Sequence, residues 1–370
     1  MRIAMIGQRG IPATFGGVEH HVEELGSRLA ERGHHVTVYS RANYTTDRHT
    51  TYRGMRPRYL PTVSSKHLDA IVHSTLSTGD AMLAKADIVH YHAVGPGLPA
   101  VLPRYLSRAK VVLTVHGLDA ERAKWSRSAR SVLRVAQWMS ARVPDATIVV
   151  SKDLAEQFRV RYGRPTTYIP NGVEEPTRRP PDEITRRFGL RGHDYVLFVG
   201  RLVPEKAPDL LLKAFSALEG DTRLVIAGGS SYTDDYVRGL MTHAASDTRV
   251  ILPGYVYGGL LEELYSNAAV FAIPSLLEGL PLTLLEAISY GVPVVASDIA
   301  PHREVLGSER PLVPPGDERA LAEAIGRALE RHPHELQEAE ALRPKVLSAY
   351  RWEATTDATE SLYERLLGRR

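Results

Sequence analysis

The chain has 370 residues, 43% of them apolar, which is enough for two ordinary domains with separate cores. It has no cysteine, which excludes disulfides and thiolate metal sites, and no apolar run of membrane-spanning length. The net charge of +3 hides a division: residues 1–172 carry a balance of +11 and residues 173–370 one of −8. That is read either as ordinary surface variation or as two lobes of opposite sign, the basic one suited to an anionic acceptor or membrane surface.

The opening MRIAMIG reads as a strand running into polar residues, not as a signal peptide, so a cytoplasmic protein is expected. Residues 16–33 follow with Val18, Val22, Leu25 and Leu29 on one helical face. HVTVYS is the next strand, and DIVHYH, KVVLTVH and ATIVVS are further buried strands. Helical patterns lie near 67–84, 97–106, 126–142 and 151–162. This alternation predicts a parallel sheet covered by helices on both faces.

TYIPNGVEEPTRRPPDE breaks the pattern with prolines at 170, 176, 180 and 181. Asn171 and Gly172 form a tight turn there. The alternation resumes with DYVLFVG, a helix near 206–218, TRLVIAGG, a strand near 249–252 and a helix over 258–267. AVFAIP, a helix over 282–290, PVVAS and helices near 317–331 and 334–348 follow. The chain closes on an amphipathic helix containing Leu362 and Leu366. The expected division is an N-terminal domain over 1–172 with the final helix 351–370, a linker over 173–190, and a second domain over 191–350. Two such α/β sheets facing across a cleft would bind ligands at the carboxyl ends of their strands.

The chemistry-bearing residues fall at those ends. In PSLLEGLPLTLLEAISYGVPVVASD, Glu278 and Glu286 stand eight positions apart. Glu278 sits on a loop, and Gly279 lets the backbone approach a ligand closely. Leu280, Pro281 and Leu282 lead into a short helix whose free N–H groups suit an anion. Glu286, a turn or so into it, can accept hydrogen bonds from vicinal hydroxyls. After the strand ending at Gly200, Arg201 and Lys206 are two cations able to stabilise a leaving diphosphate without a metal. In the N-terminal half, Gly16 and Gly17 precede a helix whose first amides are open to a phosphate or a sugar. His116 ends a buried strand in TVHGLD, where a neutral imidazole can bond a sugar hydroxyl. Tyr255 and Val256 follow a strand and offer backbone groups and an aromatic face to a nucleobase.

These motifs resemble the signature of retaining glycosyltransferases of family 4, which have the GT-B fold. The resemblance covers nearly the whole chain. It implies α/β architecture with two Rossmann-like doubly wound domains and a C-terminal helix crossing back to the first. It also implies a nucleotide-sugar donor and a hydroxyl acceptor (saccharide, lipid-linked or small molecule), with no cofactor. No D-x-D stands in a supporting context, so no metal ion is expected, and no reading motif accompanies the charge, so no nucleic-acid partner is expected. The family's R-x4-K pair matches Arg201 and Lys206, and its donor-sugar histidine matches His116. Asp119, which follows His116, is read as orienting acceptor or sugar. Where family members commonly carry glycine after the lysine, this chain has Ala207, expected to matter little because alanine suits a helix. RGIPATFGGVE resembles the opening of bacterial members that build polysaccharides, some of them rhamnosyltransferases. A carboxylate at Glu286 binding both ribose hydroxyls favours UDP or GDP over a deoxyribose donor. Replacing Glu278 by alanine is expected to abolish turnover and leave the fold intact.

Two readings stay open beside this one: a nucleotide-sugar epimerase on the same fold, and a non-catalytic nucleotide-sugar-binding protein. The basic stretch 121–142 is read either as a surface helix with core-packed tryptophans (Trp125, Trp138) or as a helix lying on an anionic bilayer.

Overall fold

The computed structural model describes residues 1–14, 16–44, 48–63, 68–118, 127–230, 233–307 and 310–368. The chain forms two compact units, Met1–Gly172 with Trp352–Arg370, and Val173–Arg351.

In the first unit, seven parallel strands form one sheet. They are β1 (Arg2–Ile6), β2 (His35–Arg41), β3 (Arg56–Leu60), β4 (Ile88–His92), β5 (Lys110–Val115), β6 (Ala146–Val149) and β7 (Thr167–Tyr168). Their order is β3-β2-β1-β4-β5-β6-β7, so the direction of winding reverses between β1 and β4. Both faces of the central strands are covered, which is why they read as unbroken apolar runs. The edge strands β3 and β7 left no such signal. Proline at position 57 is tolerated in β3 because an edge strand has a free side.

The final helix, Trp352–Leu366, belongs to this unit and lies along helix Gly17–Glu31. Arg32 pairs with Asp357 and Glu360 at 2.7 Å each, and Arg28 with Glu353 at 3.4 Å. Beside these partly exposed pairs Leu362 and Tyr363 enter the core with Val22, Leu25 and Leu29. The apolar contacts supply most of the docking energy, at about 1.5–3 kcal/mol per fully buried side chain, because surface ion pairs add about 0–1 kcal/mol.

The second unit has five parallel strands: β8 (Tyr195–Val199), β9 (Arg223–Ala227), β10 (Val250–Gly254), β11 (Val270–Ile273) and β12 (Val294–Ala296). The order β10-β9-β8-β11-β12 again reverses once, between β8 and β11. Val196, Phe198, Leu224 and Ile226 meet Leu211 and Phe215 of helix Pro208–Ser216 and Ile325 of helix Glu318–Glu330. The stretch expected as a linker is corrected in part. It carries a helix, Glu183–Phe188, with Ile184 fully buried and the Glu263 carboxylate accepting from the Asp182 and Ile184 amides. Prolines 180 and 181 precede that helix rather than preventing it.

Among the described residues no helix is long and apolar enough to cross a membrane.

Candidate active site

In open parallel sheets, ligands gather outside the carboxyl ends of the strands where the winding reverses. In the second unit that point lies between β8 and β11, and the expected residues cluster there. Arg201 stands two residues beyond β8, and Lys206 ends a 3-10 turn over Pro204–Lys206. Glu278 lies on the loop after β11, and Pro281 occupies the N-cap of helix Leu282–Ser289. Gly279, Leu280, Pro281 and Leu282 are buried, so this loop is packed rather than splayed into solvent.

Two oppositely charged members of this cluster, Lys206 and Glu278, are bound to each other. Lys206 Nζ donates to Glu278 Oε1 at 2.7 Å, with 14% and 10% of the two side chains exposed. Ser275 Oγ donates to the same oxygen at 2.8 Å. Burial would push the Glu278 carboxyl up, but the Lys206 ammonium, with help from His302 and Ser275, outweighs it and holds the carboxyl below its usual range. His302 is itself buried, and its Nδ1 lies 2.8 Å from the Ser297 carbonyl oxygen. Lys206 carries three N–H donors, so the bond to Glu278 leaves the ammonium further capacity for phosphate oxygens.

Ala207, after the lysine, has φ 49° and ψ 44°. This left-handed conformation costs an ordinary residue about 1–2 kcal/mol and glycine almost nothing. The expectation that alanine is innocuous because it suits a helix is therefore corrected. The residue sits between the 3-10 turn and helix Pro208–Ser216, not inside a helix.

Glu286 projects from helix Leu282–Ser289, half-buried, and its Oε2 accepts from the hydroxyl of the buried Tyr265 at 2.9 Å. Tyr255 and Val256 follow β10, both half-buried. The Tyr255 hydroxyl donates to the Ser230 carbonyl at 2.8 Å, and its ring covers Gly229 so closely that a Cβ there would lie 2.3 Å from Cε2.

In the first unit, Gly16 is the N-cap of helix Gly17–Glu31 with φ 80°, and both glycines are exposed. His116 follows β5 and is half-buried. It belongs to a group that sequence reasoning missed. His21, from the first helix, and His92, the last residue of β4, lie with it so that one nitrogen from each falls within 4.8 Å of the others. That separation is compatible with a metal ion, as is an exposed set of His334, Glu335 and Glu338. The H-V-E and H-Y-H neighbourhoods gave no local sign of this, since the three histidines are far apart in sequence. Asp119 and Trp125 lie outside the described residues.

These arrangements sit on a chain whose relatives are known. The profile "Glycosyltransferase Family 4" matches residues 15–175, and "Glycosyl transferases group 1" matches residues 182–343. The D-inositol 3-phosphate glycosyltransferase of Geodermatophilus obscurus is 30% identical, over 94% of this chain and 84% of the relative. The GDP-mannose-dependent alpha-(1-6)-phosphatidylinositol monomannoside mannosyltransferase of Mycolicibacterium smegmatis is also 30% identical, over 86% and 87%. Among solved structures, sucrose-phosphate synthase from Thermosynechococcus elongatus superposes with a TM-score of 0.85 at 24% identity, covering 99% of each chain. Anabaena HepE in complex with UDP-glucose gives 0.81 at 18% identity, covering 98% of this chain and 99% of that one. Fold and site thus define a glycosyltransferase with GT-B architecture. The chain belongs to glycosyltransferase family 4.

Proposed function

We propose that this glycosyltransferase moves a sugar from a nucleoside-diphosphate donor, UDP or GDP, to a hydroxyl acceptor with retention of configuration and without a metal ion. The observation that carries the reading is the pairing of Lys206 with Glu278 at the winding reversal of the second sheet, on the loops that follow β8 and β11, with Arg201 two residues beyond β8 and Pro281 at the N-cap of the helix that holds Glu286. Arg201 and Lys206 take the diphosphate, Glu278 the sugar hydroxyls and Glu286 the ribose hydroxyls. Gly279, Leu280, Pro281 and Leu282 line the donor's phosphate side, and Tyr255 and Val256 take the base through backbone groups. From the first unit, His116 and the Gly16–Gly17 amides serve the donor sugar, and the N-terminal domain receives the acceptor.

The reaction breaks the bond between the anomeric carbon and the diphosphate oxygen. A new bond to the acceptor oxygen forms on the same face. The acceptor's proton passes to the departing phosphate oxygen, whose growing charge the two cations stabilise. Such fixed donors are worth roughly 10²–10³-fold in rate each. Bond formation to a second sugar or a lipid-linked hydroxyl fits polysaccharide, glycolipid or natural-product synthesis.

The reading places the enzyme in the cytoplasm, with a peripheral contact at an anionic membrane. One observation favours that contact. On helix Arg127–Ser140, Val132, Val135 and Trp138 are all at least half exposed, and Arg142 lies over the Trp138 ring at 4.7 Å. Trp138 therefore does not pack in the core. An apolar stripe flanked by arginines suits an anionic lipid surface.

The test is a panel of UDP-, GDP- and dTDP-sugars. The true donor raises the melting temperature by binding the native state, and donor with a hydroxyl acceptor yields a retained glycoside. An epimer formed from donor alone, or binding without turnover across a broad acceptor panel, would replace this reading with one of its alternatives.

A further inference from the structure

The histidines of the first unit form a connected buried array. His90 and His92 lie on β4, their rings 4.1 Å apart. His90 is bonded at both nitrogens, Nδ1 to the Tyr363 hydroxyl at 2.6 Å and Nε2 to the Thr114 hydroxyl at 2.7 Å. His21 places Nδ1 2.9 Å from Oδ1 of Asn171 and turns its ring edge-on to His116, centroids 4.6 Å apart. His92 Nδ1 lies 3.4 Å from His116 Nε2, with the ring centroids 5.7 Å apart and the ring planes 28° from parallel. His21, His90 and His92 are buried; His116 is the member of the array that reaches solvent.

The bonding pattern selects one tautomer. Two imidazoles that face each other nitrogen to nitrogen need one donor and one acceptor. The far nitrogen of His92, Nε2, is buried and has no hydrogen-bond partner among the described residues. A buried N–H without an acceptor is rarer than a buried acceptor left bare, because the proton's desolvation is not recovered. His92 Nε2 is then the bare acceptor and Nδ1 carries the proton. That proton points at His116 Nε2, which has to accept.

We propose that His92 is a positioning residue that donates from Nδ1 to Nε2 of His116 and so holds His116 as the Nδ1–H tautomer. Nδ1 of His116 then acts as a donor, and what it meets is an acceptor and not an N–H or a cation. This rests on the donor-sugar role given to His116 above and adds the tautomer in which His116 serves it. Burial supports the arrangement: it lowers His21 to about 4 and His90 to about 3 despite the Asn171 bond to His21, and drives His92 well below its usual value. The imidazoles behind His116 are neutral at neutral pH and do not compete for its proton.

Nitrogen-15 NMR of the histidine-labelled full chain, without donor, reads the tautomer directly and does not depend on turnover. The expected result is a pyrrole-type Nδ1 and a pyridine-type Nε2 for His116. In the His92→Leu variant, that preference relaxes and turnover with a matched donor falls roughly tenfold, with the loss in kcat. His92→Asn, whose amide sits near the original Nδ1, restores most of both. A pyrrole-type Nε2 on His116 in the unmodified chain overturns the proposal. So does an unchanged His116 spectrum in folded His92→Leu. Stoichiometric visible bands on adding cobalt(II) would also overturn it, by showing that the histidines are ligands instead. Absence of any transferase activity would strike the functional reading while the spectra still decided the tautomer.

Discussion

Lys206 and Glu278, 72 residues apart, are hydrogen-bonded to each other at 2.7 Å at the winding reversal of the second sheet. Both are mostly buried, so each is the other's counter-charge. The pair links the cation proposed for the diphosphate to the carboxylate proposed for the sugar. Removing either side of such a buried pair strands the other and costs about 3–5 kcal/mol.

That coupling changes how Glu278 should be tested. Alanine leaves a buried lysine without its partner, so loss of activity in Glu278→Ala would be mixed with loss of stability. Glu278→Gln keeps the shape and an acceptor for Lys206. It is expected to fold and to lose roughly 10²-fold or more in kcat, measured by donor consumption in saturating acceptor. Wild-type kcat in Glu278→Gln would remove the catalytic role.

The same pair sets a pH dependence. The Glu278 carboxyl is held below its ordinary value of 4.5 in the folded chain. Its stabilisation is therefore complete above the unfolded value and is lost as pH falls through the folded one. Urea titrations from pH 7 down to pH 3 should show the native chain losing more stability on acidification than Glu278→Gln. Parallel curves would show that the pair contributes no proton linkage.

Tyr265→Phe removes the hydroxyl that holds Glu286 Oε2 at 2.9 Å and leaves the ring, stacked on Tyr290, in place. An unanchored carboxylate binds ribose with a larger ordering cost. The donor KM should rise roughly three- to tenfold with kcat little changed, the pattern of lost uniform binding. An equal KM would mean that Glu286 is oriented by something other than this bond.

Gly228, with φ +150°, lies just after β9, and a Cβ there would fall 1.8 Å from the Gly200 carbonyl oxygen. Gly200 immediately precedes Arg201. Gly228→Ala must push the β8 loop aside and should destabilise the chain by about 3 kcal/mol or more. A melting temperature equal to the native one would show that the two loops separate freely.

Metal independence is tested with a chelator. Turnover should survive excess EDTA if, as proposed, Arg201 and Lys206 take the place a divalent cation would fill at the leaving phosphate. Strict dependence on added manganese would contradict that mechanism.

Both βα alternations and the motif positions were legible in the residues because they depend on short-range patterns. Apolar runs such as YVLFV and VFAI mark central strands whichever neighbours they later acquire. Glycines and prolines mark the loops after them. The edge strands β3 and β7 left little trace, because an edge strand with one partner need not be uniformly apolar. Ala207 misled for a local reason: alanine favours helices by propensity, but here it is the junction between a 3-10 turn and the following helix, at positive φ.

The residues by themselves thus determined the fold class and the ends of the strands from which chemistry would come. Tertiary structure alone decided that Lys206 meets Glu278, that Tyr265 anchors Glu286, and that His21, His92 and His116 share one place. Strand and helix formation follow the spacing of neighbours along the chain, whereas these partnerships depend on strand order and loop closure between residues that periodicity does not connect.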